Sequence, residues 1–260
     1  MPFAGDIHYR RSKIDLRDKT PLILVHGAVG TYMHWLGELR RLAGEDVLAI
    51  DLPGHGASPG EGRDSISAYS EDVREVLHRL EIDQAVIAGH SMGGAIALQF
   101  CLDFPAQVRG LILMGTGARL QVNPQLIQYC SDEATYPDAV SLVVMWSFGK
   151  GADEKLVELA GARLAETPAR VLHTDFITCD GFDMRDQLSE INQPTLVICG
   201  EQDKMMPVRN SQFLSENIPG ARLEIVPHAA HMVMLEQPEV VANLVKGFME
   251  ENNSNENNQR

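Results

Sequence analysis

The chain is short of the features that would assign it to several large classes of protein. It has only four cysteines among 260 residues. Cys101, Cys130, Cys179 and Cys199 show no paired spacing, which argues against a disulfide-stapled secreted scaffold and for a reducing, cytoplasmic setting. Cys101 and Cys199 fall inside apolar segments, where cysteine acts as a small hydrophobe. Basic residues are outnumbered, 22 Lys and Arg against 36 Asp and Glu, for a formal net charge of −14. That balance opposes nucleic acid or an anionic membrane surface as partner. No apolar run approaches the roughly 20 residues that span a bilayer, and Met1–Asp6 carries no apolar h-region. No internal repeat is visible. The pair His228-x-x-His231 has metal-ligand spacing but lacks a third ligand, so no metal is expected. Gly115-x-Gly117 follows an apolar run as a dinucleotide fingerprint would. Its third glycine is missing, with Leu120 in that place, so no nucleotide cofactor is expected either.

What the chain does have is an alternation of short apolar runs and helical periodicities, enough for one large α/β domain. Leu22–Val25, Val47–Ile50, Ala85–Ala88, Leu111–Met114, Pro194–Gly200 and Arg222–Val226 read as strands, and Ile7–Ile14 as an edge strand. Ile66, Tyr69, Val73, Val76, Leu77 and Leu80 recur at helical spacing. Pro238 opens a last helix with Val241, Leu244, Val245 and Phe248 on one face. Residues 251–260, rich in Asn and charge, read as a disordered tail.

One junction carries chemistry. Gly89-His90-Ser91-Met92-Gly93 joins a buried strand to a helix, the setting of a G-x-S-x-G nucleophile elbow. The turn leaves no room for side chains two residues before and two after the serine, hence Gly89 and Gly93. It lifts the Ser91 hydroxyl off the sheet edge and aims the first helical amides at the same point, where an anion would be stabilised. An acid and a base should follow the serine in that order. Asp203 lies just past the strand that ends at Gly200, and His231 just past the strand that ends at Val226, so all three residues fall at carboxyl ends of strands. Glu201 is the competing acid and His228 the competing base. The position of Asp203 deeper in its loop, and the place of His228 directly after Pro227, favour Asp203 and His231.

These motifs, with Val25-His26-Gly27, Asp51-Leu52-Pro53-Gly54-His55-Gly56 and the His-x-x-x-x-Glu-x-Pro of His231 to Pro238, resemble those of serine-dependent α/β-hydrolases of the single-domain, cofactor-free kind. The resemblance covers about Pro21 to Met249. It implies an α/β-hydrolase fold, a mostly parallel sheet flanked by helices, with the core formed by residues 1–117 and 189–250 and a helical cap inserted at 118–188. It implies an oxyanion hole made by the backbone N–H groups of Ala28 (with Val29 as alternative) and Met92. His26, His55 and His90 are then supporting or structural. Within the cap, Leu142, Val143, Met145, Trp146 and Phe148 form the most apolar run, and Met145 and Trp146 are the first candidates to line the substrate pocket.

The activity so implied is hydrolysis of small to medium soluble carboxylic esters or lactones through an acyl-enzyme, with no cofactor. A carbon–carbon hydrolase and a thioesterase of the same fold are the enzymatic alternatives, and a ligand-binding receptor on the same scaffold is the non-enzymatic one. Serine at the elbow, where haloalkane dehalogenases and epoxide hydrolases use aspartate, argues against those branches. Fold alone does not choose the substrate.

Overall fold

Side chains along a strand alternate between faces, and in the central strands both faces are apolar. Leu22 and Leu24 enter one buried cluster, Ile23 and Val25 the other. A strand buried on both sides needs helices on both sides. The structure, a computed structural model, describes residues 2–12, 19–28 and 30–257. Its strands are β1 (Phe3–Ala4), β2 (Ile7–Arg11), β3 (Leu22–Val25), β4 (Val47–Ile50), β5 (Ala85–His90), β6 (Val108–Met114), β7 (Thr195–Gly200) and β8 (Arg222–Val226). They form one eight-stranded sheet in the order β1-β2-β4-β3-β5-β6-β7-β8. β1 and β2 pair antiparallel, and β3 to β8 run parallel. The expected edge strand ends at Arg11; residues 13 and 14 of that run lie outside the described residues.

The helices are α1 (Gly37–Arg40), α2 (Ile66–Arg79), α3 (Met92–Asp103), α4 (Pro124–Cys130), α5 (Tyr136–Ser147), α6 (Glu154–Leu164), α7 (Ala169–Asp180), α8 (Val208–Asn217), α9 (Val233–Glu236) and α10 (Pro238–Asn257). α2 starts where the Ser65 hydroxyl accepts from the Ala68 N–H, a side-chain cap that satisfies one free amide of the first turn. Its Tyr69, Val73, Val76 and Leu77 pack with Ile96 and Phe100 of α3 on one sheet face. Val241, Val245 and Phe248 of α10 cover the other with Leu39 of α1.

α10 corrects one expectation. The tail read as disordered from 251 onward is helical through Asn257. Its Arg222–Glu251 pair, at 3.0 Å, ties it to β8, and the Asn252 amide lies against Gly110 of β6. Residues 258–260 lie outside the described residues.

α4 to α7 all stand between β6 and β7 and close on a cluster of their own, with Leu126, Ala139, Val143, Leu172 and Phe176 buried in it. The chain leaves and rejoins the sheet side by side. Arg119 and Asp183 form an antiparallel bridge, and the Met184 N–H donates to the Ala118 carbonyl at 2.8 Å. At the far side, α7 is joined to the loop after β4 by a buried network. Asp175 takes His55 Nε2 at 2.9 Å on one oxygen and the Tyr69 hydroxyl at 2.6 Å on the other. The Asp175 carboxylate overcomes the cost of burial and raises the His55 pKa. Among the described residues no helix is long and apolar enough to cross a membrane.

Candidate active site

The turn at Ser91 is strained and held. Ser91 has φ 53° and ψ −117°, a positive φ that non-glycine residues seldom adopt outside functional turns. Its N–H donates to the Met114 carbonyl at 2.9 Å, and its own carbonyl accepts from Thr116 Oγ1 at 2.8 Å and the Gly94 N–H at 2.9 Å. The glycines around it are steric necessities. A Cβ on Gly89 would collide with the Gly93 carbonyl, and one on Gly93 with the Val25 carbonyl. Gly94 is a third: its Cβ would lie 2.5 Å from Thr116 Cγ2.

Asp203 and His231 meet beside this turn. His231 Nδ1 and Asp203 Oδ2 are 2.9 Å apart, and Asp203 Oδ1 accepts from the Met206 N–H at 2.8 Å. A carboxylate can only accept, so it holds the proton on Nδ1 of His231 and leaves Nε2 with a free lone pair. Both residues are buried, and His231 borders the same cavity as Ser91. The competitors lie elsewhere. Glu201 is exposed, and His228 is exposed with φ 58°, turning the chain into the His231 loop.

Three glycines open space for this assembly. At Gly115, φ 51°, a Cβ would sit 3.2 Å from the His231 carbonyl oxygen and 3.5 Å from Asp203 Oδ2. At Gly200 it would strike the Ala230 carbonyl, where the histidine loop crosses the end of β7. At Gly27 it would lie 3.0 Å from Ser91 Cβ, so a glycine lets the loop after β3 come this close to the serine without displacing a neighbour. The Gly-x-Gly once comparable to a dinucleotide fingerprint thus has a local use at Gly115.

The neighbouring histidines are structural. Leu52 donates its N–H to His26 Nε2 at 2.9 Å, which leaves the ring proton on Nδ1 to bond the Gly27 carbonyl at 2.7 Å. His26 thereby fixes the turn that presents Ala28 to the cavity. His90 donates from Nε2 to the His231 carbonyl at 2.9 Å, and its ring lies 4.7 Å from that of His231. Burial drives the pKa of His26 and of His90 well below the ordinary value. Met92 is the first residue of α3, where N–H groups have no partner within the helix. Val29, the alternative to Ala28, lies outside the described residues.

Glu236 was not singled out in the sequence beyond its place in the motif. Its Oε1 accepts from the Ala230 N–H at 2.7 Å and its Oε2 from the Gly149 N–H at 2.8 Å. One carboxylate therefore braces the residue before His231 and the chain just past α5. The Met232 N–H adds a bond to the Ser147 carbonyl at 3.1 Å. Partial burial raises the Glu236 pKa against the pull of its two amide donors.

Above Ser91 is a cavity of about 430 Å³. Its walls are largely apolar, with Leu120, Val122, Leu126 and Leu164 among them, and Trp146 does line it. Met145 does not; it is 58% exposed on the outer face of α5. The buried face of that helix runs through Tyr136, Ala139, Val143 and Ser147. Met145 stands two residues from Val143, on the opposite side at about 100° per residue, whereas Trp146 stands three away on the same side.

The sheet order, the strand-to-helix elbow and the loops past β7 and β8 are the architecture of an alpha/beta hydrolase. A family profile described as alpha/beta hydrolase fold matches residues 20–238, and the chain belongs to that family. It is 32% identical to the 3-oxoadipate enol-lactonase 2 of Acinetobacter baylyi over 78% of each chain. It is also 32% identical to the dihydrolipoyllysine-residue acetyltransferase component of the acetoin cleaving system of Pseudomonas putida. That match takes in 88% of this chain and spans 63% of the relative's length. Among solved structures, a thermophilic esterase superposes with a TM-score of 0.81 at 29% identity, covering 94% of this chain and 99% of the other.

Proposed function

We propose that the protein is a serine hydrolase that cleaves small to medium carboxylic esters and lactones through an acyl-enzyme. The observation that carries this reading is the bond from His231 Nδ1 to Asp203, beside a serine held at positive φ at a strand-to-helix turn. A serine hydroxyl is a weak nucleophile at neutral pH. His231 Nε2 takes its proton as Oγ attacks the carbonyl carbon, and the Asp203 carboxylate stabilises the imidazolium that forms. The carbonyl oxygen gains the negative charge and is met by the N–H groups of Met92 and Ala28, an arrangement worth on the order of two to three decades in rate per donor. Imidazolium then protonates the leaving alkoxide. Water, deprotonated by the same imidazole, attacks the acyl-serine, the carbonyl re-forms, and the Ser91 oxygen leaves with the proton.

Size and lining support small, partly apolar substrates: the cavity, about 430 Å³, lies within the roughly 300–1,000 Å³ usual for small-molecule sites. The names of the esterase and lactonase relatives agree with this substrate class. The partner is a small molecule. The test is a parallel screen of aryl esters, γ- and δ-lactones, thioesters and vinylogous diketones on the wild type and on Ser91→Ala. Ester or lactone turnover that vanishes in the variant supports the reading. Turnover confined to diketones or thioesters moves the enzyme to another branch.

A further inference from the structure

His34 is one of several polar side chains bordering the cavity that have no part in those steps; Gln121, Asn123 and Lys204 are exposed, and Ser147 is bonded to Met205 Sδ. His34 ends the short turn Tyr32–His34 that follows the oxyanion loop. It is only 9% exposed and borders the cavity that holds Ser91. The other histidines around the site are engaged: His26 with Gly27 and Leu52, His55 with Asp175, His90 with the His231 carbonyl, and His231 with Asp203. The His34 ring has no hydrogen-bond partner in the protein among the described residues, although its backbone N–H is bonded to the Thr31 carbonyl. Its ring nitrogens are not closed off without a partner, as His8 Nε2 and Trp35 Nε1 are, and the side on which they stay open is the cavity.

The state and position of the ring limit what it can do. Burial, with the charges of His55 and Arg163, lowers the His34 pKa to about 4 against the opposing pull of Asp51. At neutral pH it is therefore an uncharged imidazole with one N–H donor and one acceptor nitrogen. With no carboxylate bonded to it, it lacks the support of a general base. In the sheet, β3 lies on one side of β5, and β7 and β8 on the other. The leaving group must face His231 to be protonated, and His231 follows β8. His34 follows β3, on the other side of the strand that ends at the serine.

Resting on the ester and lactone reading above, we infer that His34 recognises an oxygen substituent on the acyl portion of the substrate. Its preferred substrates are then esters or lactones of hydroxy or oxo acids, with that oxygen a few bonds from the scissile carbonyl. The imidazole N–H donates to this oxygen, and its second nitrogen accepts when the group is a hydroxyl.

The test compares phenyl 3-hydroxybutyrate with phenyl butyrate, which share a leaving group, each rate divided by that ester's alkaline hydrolysis rate. The wild type should favour the hydroxy ester in kcat/KM by about tenfold, the effect of one net hydrogen bond. His34→Leu should lose that preference, its rate on the hydroxy ester falling about tenfold further than its rate on butyrate, and His34→Gln should keep part of it. A second readout needs no variant at His34. In Ser91→Ala protein, 3-hydroxybutyrate should shift the ring ¹⁵N resonance of His34, and butyrate should not. No wild-type preference, a preference that survives His34→Leu, an equal fall on both esters, or an unmoved resonance would each overturn the inference. Absence of any ester or lactone turnover by the wild type would instead overturn the functional reading on which it rests.

Discussion

Replacing Asp203 with Asn puts the proposed division of labour under the sharpest strain, because both carboxylate oxygens face N–H donors. Oδ2 meets His231 Nδ1 at 2.9 Å and Oδ1 accepts from Met206 at 2.8 Å. Asparagine offers one acceptor and one NH2 group. If its oxygen faces His231, the NH2 group confronts the buried Met206 N–H, donor against donor. If its oxygen faces Met206, both contacts are satisfied, but only by moving the imidazole proton to Nε2. The second arrangement is the stable one, and it removes the lone pair that would accept the Ser91 proton. The best-studied triad loses about four decades in kcat on the same substitution, or about 5.4 kcal/mol at 1.36 kcal/mol per decade. Stability should change little, since one pair of hydrogen bonds replaces another, within about 1–2 kcal/mol. Stopped-flow hydrolysis of an aryl ester, beside a thermal melt, measures both quantities. A loss under tenfold in a folded variant would refute the assignment of Asp203, as would a larger loss from Glu201→Gln, whose parent side chain is exposed.

Other consequences are as direct. Glu236→Gln leaves one of two N–H donors, Ala230 or Gly149, without an acceptor; urea titration should find the protein less stable by about 1–3 kcal/mol, with kcat reduced as the His231 loop loosens. Trp146→Ala should widen the cavity and move the acyl-length optimum to bulkier groups, whereas Met145→Ala, on the outer face, should leave the profile unchanged; an acyl series on both variants decides. His34 also contributes to acid lability. Its folded pKa is about 4 against 6.5 for a free histidine, so the unfolded chain takes up the proton first, and stability present above about pH 6.5 is lost as pH falls toward 4. That slice amounts to on the order of 3 kcal/mol, and the melting temperatures of His34→Leu should fall less steeply than those of the wild type over the same range.

The parts legible in the sequence were those where sterics leave no choice. Gly89 and Gly93 are demanded by backbone oxygens that a side chain would strike, so the elbow could be read residue by residue. Asp203 and His231 could be read because strands buried on both faces stand out as apolar runs, and the loops after them are short. The face of α5 could not. Leu142 to Trp146 is apolar throughout, so nothing in composition marks its helical phase, and Met145 was grouped with Trp146. The end of α10 was hidden for the opposite reason. Asn and Glu around residues 251–257 favour solvent, and the contacts of Glu251 with Arg222 and of Asn252 with Gly110 are made only once the chain is folded. Glu236 and His34 were missed as individuals because their significance lies in partners far apart in sequence, or in the lack of one.

Activation of Ser91 as a nucleophile by His231 can be read from site-mapped labelling. The protein is treated with a fluorophosphonate, its intact mass is measured, and the modified residue is located by peptide fragmentation. One adduct is expected, on Ser91, formed at a rate that His231→Ala reduces by several decades and absent from Ser91→Ala. An adduct on any other residue, or labelling of Ser91 that is indifferent to His231, would contradict it.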